Sequence, residues 1–125
     1  MRNTAGVLLY RYKDKGLQVL LVHNGKTWSI PKGKIGPNES RRKTAVRELK
    51  EEAHLEAPEE LFELAYVQKK NVERLYCFAG IQNKKKNPKP NNEILEVRFF
   101  ELKEAQKILE SYQRPLLEIL QGLAC

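Results

Sequence analysis

The sequence predicts an α/β fold in which a mixed β-sheet is sandwiched between helices (α/β/α). Residues 4–12 and 17–23 form two apolar runs that are typical of strands buried on both faces. Helical spacing of apolar residues follows over residues 40–54 and returns near the C-terminus. Because strands and helices alternate along the chain, the helices are expected to cover both faces of one sheet.

The first half of the chain supplies two strands and a long loop. Asp14-Lys15-Gly16 turns the chain between the two strands, and Asn24-Gly25 is a strong turn signal after the second. Residues 28–30 then lead into Pro31-Lys32-Gly33, and Gly36-Pro37-Asn38 forms the loop before the helix.

The second half supplies three strands and two helices. Residues 83–92 contain no apolar side chain and two prolines, so they are expected to form a loop. Lys70-Asn71 is the expected turn of a hairpin. The predicted strands are residues 61–70, 72–82 and 94–102, and the predicted helices are residues 103–112 and 113–123.

Composition describes one globular domain over residues 1–125 with an anionic partner. Hydrophobic residues make up 41% of the chain and charged residues 31%, with a formal net charge of +7. That charge suits a nucleotide polyphosphate or RNA. The N-terminal apolar run is too short for a signal peptide or a membrane span. Cys77 and Cys125 show neither metal-ligand spacing nor a disulfide framework, which favours unpaired thiols in a reducing cytoplasm.

The helix at residues 40–54 carries three carboxylates beside its apolar stripe. Glu48, Glu51 and Glu52 are related as i, i+3 and i+4 and therefore share one face. Two carboxylates about 6 Å apart repel by roughly 3 kcal/mol at an effective dielectric of 20, but by under 1 kcal/mol in water. In a cleft, such a group of carboxylates needs a counter-cation, and Mg²⁺ prefers oxygen ligands. On an open surface it would simply be a solvated helix face.

Residues 33–55 resemble the Nudix box, G-x5-E-x7-R-E-U-x-E-E-x-G-U with U aliphatic. Gly33 is followed after five residues by Glu39 and after seven more by Arg47-Glu48-Leu49-Lys50-Glu51-Glu52-Ala53-His54-Leu55. His54 stands where the pattern has Gly. We expect it to affect the geometry of the helix end, since a left-handed backbone at a histidine costs about 1 kcal/mol. The resemblance implies the Nudix fold, the same layered α/β/α arrangement.

Metal ligation is the first role that the resemblance implies. In the family, the box glutamates hold Mg²⁺ or Mn²⁺, which assigns Glu48, Glu51 and Glu52 as ligands, with Glu51 and Glu52 also catalytic. The carbonyl of Gly33 would complete the metal shell, although a simple turn glycine is equally compatible with the sequence. Glu39 and Arg47 are assigned to structural support, Glu39 of the loop and Arg47 of a box glutamate.

The remaining site residues lie outside the acidic helix face. Lys32 is expected to face the substrate phosphates with help from Lys34, although each alone could be a solvated lysine. A general base in this family often precedes a late strand, which points to Glu93. Glu96 is the second candidate, a box glutamate is the third, and a loop cap is the structural alternative for Glu93. Lys84, Lys85, Lys86 and Lys89 form a basic run that either captures polyanions or only keeps the loop solvated.

The resemblance predicts a Mg²⁺-dependent pyrophosphohydrolase in which water attacks phosphorus in a diphosphate linkage. Residues 28–33 resemble enzymes of diadenosine polyphosphates, and residues 113–116 resemble a bacterial subgroup predicted to act on nucleoside triphosphates. The alternatives are an RNA 5′-pyrophosphohydrolase and a non-catalytic nucleotide-sensing module. Trp28, Tyr66 and Tyr76 could stack on a base, although core packing is the expectation for each. The chain shows no interleaved aromatic and basic pattern for single strands. The sequence leaves the oligomeric state open.

Overall fold

A mixed seven-stranded sheet is the centre of the part of the chain that the computed structural model describes, residues 1–14, 16–82 and 84–124. The main path runs β3-β2-β1-β6-β5, with β4 added to β1 and β7 added to β2. Only β1 and β6 pair in parallel among the pairs described. The strands are β1 Arg2–Lys13, β2 Gly16–His23, β3 Trp28–Ser29, β4 Lys32–Lys34, β5 Phe62–Lys69, β6 Glu73–Ile81 and β7 Glu96–Glu101.

Helices cover both faces of this sheet, which confirms the predicted α/β/α layering. On one face, α1 (Arg41–Ala53) buries Leu49 against alternate residues of β1 such as Val7. On the other face, α2 (Leu102–Ile108) and α3 (Arg114–Ala124) pack on Leu8, which points the opposite way. The predicted continuous apolar runs therefore bury both faces of the central strands.

Helix α1 begins and ends where the sequence predicts. The Ser40 hydroxyl accepts a hydrogen bond from the Lys43 amide at 3.1 Å and caps the first turn. His54 ends the helix with φ +57°, the left-handed conformation for which the box pattern uses glycine. Its amide donates to the Lys50 carbonyl at 3.0 Å, so the turn closes normally around the histidine.

Three features differ from the expected elements. The short strands β3 and β4 replace a predicted connection, since two or three residues are too few to show a period. Strand β7 begins two residues late, at Glu96. Helix α2 ends at Ile108, because extended Leu109 bridges Trp28 and the chain continues as a 3₁₀ turn at Ser111–Gln113. The predicted hairpin is confirmed, with Lys70 at φ +46°.

Strand β6 buries the Cys77 thiol, which is unpaired as predicted. Burial raises the pKa of Cys77 to about 12, so the thiol is unreactive at neutral pH. Cys125 lies outside the described residues, as do Lys15 and Asn83, on which parts of a predicted turn and loop fall. None of the helices in the described ranges has the length and apolar character needed to cross a bilayer.

Candidate active site

A single guanidinium ties together three carboxylates at the start of the candidate site. Arg47 donates to Glu39 at 2.8 Å, to Glu48 at 2.9 Å and to both oxygens of Glu51 at 3.2 Å. We call Glu39, Arg47, Glu48 and Glu51 the box cluster. Three carboxylates and one guanidinium leave it with a formal charge of −2 when all are ionised, so it remains short of positive charge.

Glu39 fixes the loop before α1 rather than facing open solvent. Its carboxylate accepts from Arg47, from the Thr44 hydroxyl at 2.7 Å and from the Gly36 amide at 3.0 Å. Together these bonds lower the pKa of Glu39 to about 2, with the bond from Arg47 the largest cause. These contacts suit the supporting role that the resemblance implies for Glu39 and Arg47.

Glu48 packs directly over the backbone of Gly33 on β4. A Cβ atom at position 33 would lie 2.2 Å from the carboxylate carbon of Glu48, so any other residue would displace that carboxylate. The Glu48 side chain is only 12% exposed. Burial, with repulsion from Glu51, raises the pKa of Glu48. Gly33 is therefore required for close approach, whether or not its carbonyl binds a metal.

Glu52 is the most perturbed carboxylate on this face of α1. One of its oxygens accepts a hydrogen bond from the Lys32 amide at 3.1 Å. Burial is the largest influence, and repulsion from Glu48 and Glu93 adds to it, so that the pKa of Glu52 rises to about 7 in spite of this hydrogen bond. A carboxyl group with this pKa can exchange protons near neutral pH.

Asn91 holds the loop that carries Glu93 against the end of α1. Its amide nitrogen donates to the Glu51 carbonyl at 2.9 Å, and its side-chain oxygen accepts from the amides of Glu93 and Ile94. The Lys89 amide donates to the Ala53 carbonyl nearby, at 2.9 Å. Sequence reasoning missed Asn91, although an Asn two residues before a candidate base is a recognisable turn signal.

Glu93, rather than Glu96, lies on the side of the box. The charge of Glu93 is among those that raise the pKa of Glu52. Glu96 instead lies on β7 opposite His23 and pairs with Arg98 at 3.6 Å. The first of the two candidate bases is therefore the one that the fold brings toward the acidic helix face.

Lys32 points its ammonium group into a second ionic cluster. It donates to Glu73 at 2.8 Å, with Lys32 18% exposed and Glu73 3% exposed. Arg2, the Thr4 hydroxyl and the Tyr112 hydroxyl also donate to Glu73. We call these five residues the Glu73 cluster. Burial opposes ionisation of Glu73, but the bonds from Arg2 and Lys32 outweigh it and lower the pKa to about 2.

The side chains of the other predicted lysines are not part of the two ionic clusters. The Lys34 carbonyl accepts from Arg47 at 3.4 Å and its side chain is exposed. Lys84, Lys85 and Lys86 line an open cavity of about 800 Å³ together with Arg11 of β1. None of the box glutamates is among the described residues of that lining. Of the predicted basic run, only Lys89 contacts α1 directly through hydrogen bonds within the described chain.

The carboxylates suit a hard divalent cation in their chemistry but are not arranged around one point. Within the described residues, no three acidic, histidine or cysteine side chains converge as a coordination shell would require. Arg47 donates to one oxygen of Glu48 and to the oxygens of Glu51. The side chain of Glu51 is 53% exposed. The negative excess, the oxygen donors and the close approach of the Glu48 carboxylate to the Gly33 backbone nevertheless fit Mg²⁺ or Mn²⁺.

A family model for the NUDIX domain matches residues 1–120. The chain therefore belongs to the Nudix hydrolase family, as the box at residues 33–55 predicts. The predicted class of enzyme, a pyrophosphohydrolase, is confirmed at this level. A search of curated proteins found no significant match.

Solved structures with the same fold include two that cover nearly the whole chain. A C. elegans Ap4A hydrolase in a binary complex is 23% identical, with a TM-score of 0.85, covering 99% of this chain and 98% of its own. The NUDIX domain of Shewanella oneidensis NrtR, complexed with ADP ribose, is 19% identical with a TM-score of 0.84, covering 100% and 89%. At these identities the likeness establishes the fold alone.

Proposed function

We propose that this chain is a single-domain, Mg²⁺-dependent Nudix pyrophosphohydrolase of nucleoside or dinucleoside polyphosphates. The observation that carries the proposal is the pair Glu48 and Glu52. Both carboxylates have pKa values raised by burial, and both contact the Lys32-Gly33 backbone of β4. Buried carboxylates without enough positive charge around them favour a cation.

Glu48, Glu51, Glu52 and the Gly33 carbonyl would hold the metal ion. When bound, Mg²⁺ (or Mn²⁺) neutralises charge on a diphosphate and lowers the pKa of bound water. Arg47 donates to Oε2 of Glu48 and to both oxygens of Glu51, so Oε1 of Glu48 would be available to the ion without loss of these bonds. Arg47 also donates to Glu39, which supports the loop before α1.

Glu93 is the proposed general base. Its carboxylate accepts a proton from the water that attacks phosphorus, and the leaving phosphate carries away the bond electrons. The Asn91 turn fixes the backbone on which Glu93 stands. Glu52, with a pKa of about 7 in the metal-free protein, is the alternative acceptor.

Two lines of support bear on the substrate class. Lys32 and Lys34 flank Gly33 and supply positive charge for phosphates, with Lys32 shared between substrate and Glu73. The fold relatives act on Ap4A or are complexed with ADP ribose, and both compounds are nucleotides with adjacent phosphates. A free, buried Cys77 suits a reducing compartment, and we place the protein in the cytoplasm.

A nucleotide-sensing module is the second candidate, because one fold relative is the NUDIX domain of NrtR complexed with ADP ribose. All of the box glutamates are present in this chain, which favours an enzyme over a sensor. An RNA 5′-pyrophosphohydrolase remains the alternative within the enzyme class, in keeping with the net charge of +7.

A hydrolysis panel tests the proposal. Nucleoside triphosphates, dinucleoside polyphosphates, ADP-ribose and 5′-triphosphorylated RNA are incubated with Mg²⁺, Mn²⁺ or EDTA, and released phosphate or nucleotide is measured. We expect metal-dependent turnover of at least one nucleotide polyphosphate. Glu48→Gln should abolish it, while Glu56→Gln, which changes an exposed glutamate paired with Lys50, should not. Tight nucleotide binding without turnover in any metal would establish the sensor instead.

A further inference from the structure

Strands β5 and β6 carry an aromatic surface that the candidate active site does not use. Tyr76 and Phe78 alternate on the face of β6 that is turned toward α1. Tyr66 of β5 pairs with Tyr76, and the two ring centroids are 5.8 Å apart. Tyr66 is 56% exposed, so the expectation that it packs in the core is wrong. Strand β5 is at the edge of the sheet.

Three arginines lie over these rings. The guanidinium of Arg41 is 3.7 Å from the ring centroid of Tyr76, and that of Arg74 is 4.7 Å from the centroid of Tyr66. Arg42 lies 5.2 Å above Phe78. We call Arg41, Arg42, Tyr66, Arg74 and Tyr76 the arginine–aromatic face.

The positive charge of this face is uncompensated. In the described part of the chain, Arg41, Arg42 and Arg74 have no carboxylate within 4.0 Å. By contrast, Arg2 and Arg47 each bind a carboxylate directly. The arginine–aromatic face borders a groove of about 450 Å³, whose described lining contains a single carboxylate, that of Glu63. The charge is therefore complementary to an anionic ligand.

The face lies in register with the candidate active site. Gly33 pairs with Ala5, Ala5 with Tyr76 and Tyr76 with Tyr66, so the four residues form one row across the sheet. Strands about 4.8 Å apart place Tyr76 about 10 Å from Gly33. Helix α1 spans the same interval, because Arg41 and Glu48 are seven residues apart, about 10 Å along one stripe of the helix.

We propose that the arginine–aromatic face binds single-stranded nucleic acid. Bases stack on the exposed part of Tyr66 and on the guanidinium planes of Arg41 and Arg74 that lie over the two rings, and the N–H edges of the arginines pair with the phosphates. The charges and rings come from α1, β5 and β6, a spread that suits several linked nucleotides better than one free nucleotide. The pattern is absent from any contiguous stretch of sequence because folding assembles it from three elements. This binding goes beyond the proposed hydrolysis.

Fluorescence anisotropy with a labelled ten-nucleotide 5′-hydroxyl oligouridylate, in EDTA, tests the proposal. The 5′-hydroxyl end and the absence of metal make the result independent of hydrolysis, so failure here leaves the proposed enzyme untouched. Tyr66→Ser should weaken binding by about 5- to 150-fold, the range for loss of one stacked base. Arg74→Gln should weaken binding and reduce the slope of log K against log salt by about 0.7.

Matched controls separate this face from general attraction to a basic protein. Tyr66→Phe keeps the ring and should bind as the wild type does. Lys103→Gln removes the same charge as Arg74→Gln from an exposed position on α2 and should leave the affinity within 2-fold, roughly.

Three results would overturn the proposal. The first is the absence of binding at low salt. The second is equal weakening by Arg74→Gln and Lys103→Gln with no effect of Tyr66→Ser. The third is a light-scattering mass showing a dimer that Tyr66→Ser converts to a monomer, because a second copy of the chain on the β5 edge would then occupy this face.

Discussion

The box cluster and the Glu73 cluster have opposite ratios of positive to negative groups. In the first, one guanidinium donates to three carboxylates, two on α1 and one in the loop before it. In the second, one carboxylate that is 3% exposed receives two cations and two hydroxyls. Lys32 lies between them, since its amide donates to Glu52, on α1 beside the box cluster, while its ammonium donates to Glu73.

The box cluster has an excess of negative charge that can serve function, whereas the charges of the Glu73 cluster are paired and serve the structure. A metal ion can stabilise a cluster that is short of positive charge. A buried carboxylate whose two oxygens are both bonded is instead destabilised when one of its partners is replaced. We therefore expect substitutions in the box cluster and at its margin to change activity, and substitution of Glu73 itself to change stability.

The largest expected effect is on turnover at the margin of the box cluster. Glu93→Gln should lower kcat by about 10²–10⁴, because the amide cannot accept the proton of the attacking water. Metal affinity, measured by calorimetry, should be unchanged. Glu96→Gln is the matched control, since Glu96 pairs with Arg98 on β7. An unaltered kcat in Glu93→Gln would assign the base to Glu96 or to a box glutamate.

The fold and the helix of the box were accessible from sequence because their signals are local. Ser40 and His54 mark both ends of α1, and its apolar stripe has a helical period. The spacing from Gly33 to Glu39 and onward fixes the family before any tertiary contact is known.

The remaining features depend on contacts between distant residues. Arg2 and Glu73 are 71 positions apart, and Tyr112 lies 39 positions beyond Glu73. Nothing near Lys32 in the sequence indicates that a buried carboxylate binds its ammonium group. Only the sheet order shows that β5, which carries Tyr66, lies at an edge.

The second prediction concerns the stability of the Glu73 cluster. Glu73→Gln should lower the free energy of unfolding by about 3–5 kcal/mol at pH 7, because Lys32 loses its buried counter-ion. Glu63→Gln, an exposed change of the same kind, should stay within about 0.5 kcal/mol. Urea unfolding measures both variants. A loss below about 1 kcal/mol for Glu73→Gln would show that the cluster is not a buried ionic anchor.

The pH dependence of that loss follows from the lowered pKa of Glu73. The pKa is about 2 in the folded protein and 4.5 ordinarily, so the ionised carboxylate stabilises the fold above pH 4.5. This contribution disappears as the pH falls toward 2. Urea unfolding at pH 3 should therefore show a smaller difference between wild type and Glu73→Gln than at pH 7.

Ionisation of Glu52 should change the stability of the fold in the opposite direction to ionisation of Glu73. Its pKa rises from 4.5 to about 7 on folding, so the metal-free wild type loses stability as the pH increases through this range. In EDTA at pH 8, Glu52→Gln should be more stable than the wild type by up to about 3 kcal/mol, and at pH 4 the two should agree. Thermal unfolding at both pH values measures this. If Glu52→Gln is less stable than the wild type at pH 8, then burial does not disfavour the ionised form of Glu52.

The smallest expected effect is electrostatic steering by the basic loop. Replacing Lys84 and Lys86 with Gln should lower kcat/KM by up to about 10-fold at 0.01 M ionic strength. The effect should vanish at 1 M, where the Debye length is about 3 Å. A Lys103→Gln, Lys107→Gln double variant removes the same charge from α2 as a control. If the salt slopes of the two double variants coincide, the loop does not steer substrate.

A titration of the metal-free protein with Mn²⁺, followed by electron paramagnetic resonance, tests most directly whether the box cluster takes a divalent cation. We expect the wild type and Glu56→Gln to bind Mn²⁺ with equal affinity. Glu48→Gln should weaken binding by about 10-fold or more. Equal Mn²⁺ affinity in Glu48→Gln and the wild type, or no binding by the wild type, would contradict the metal site on which the proposed hydrolysis depends.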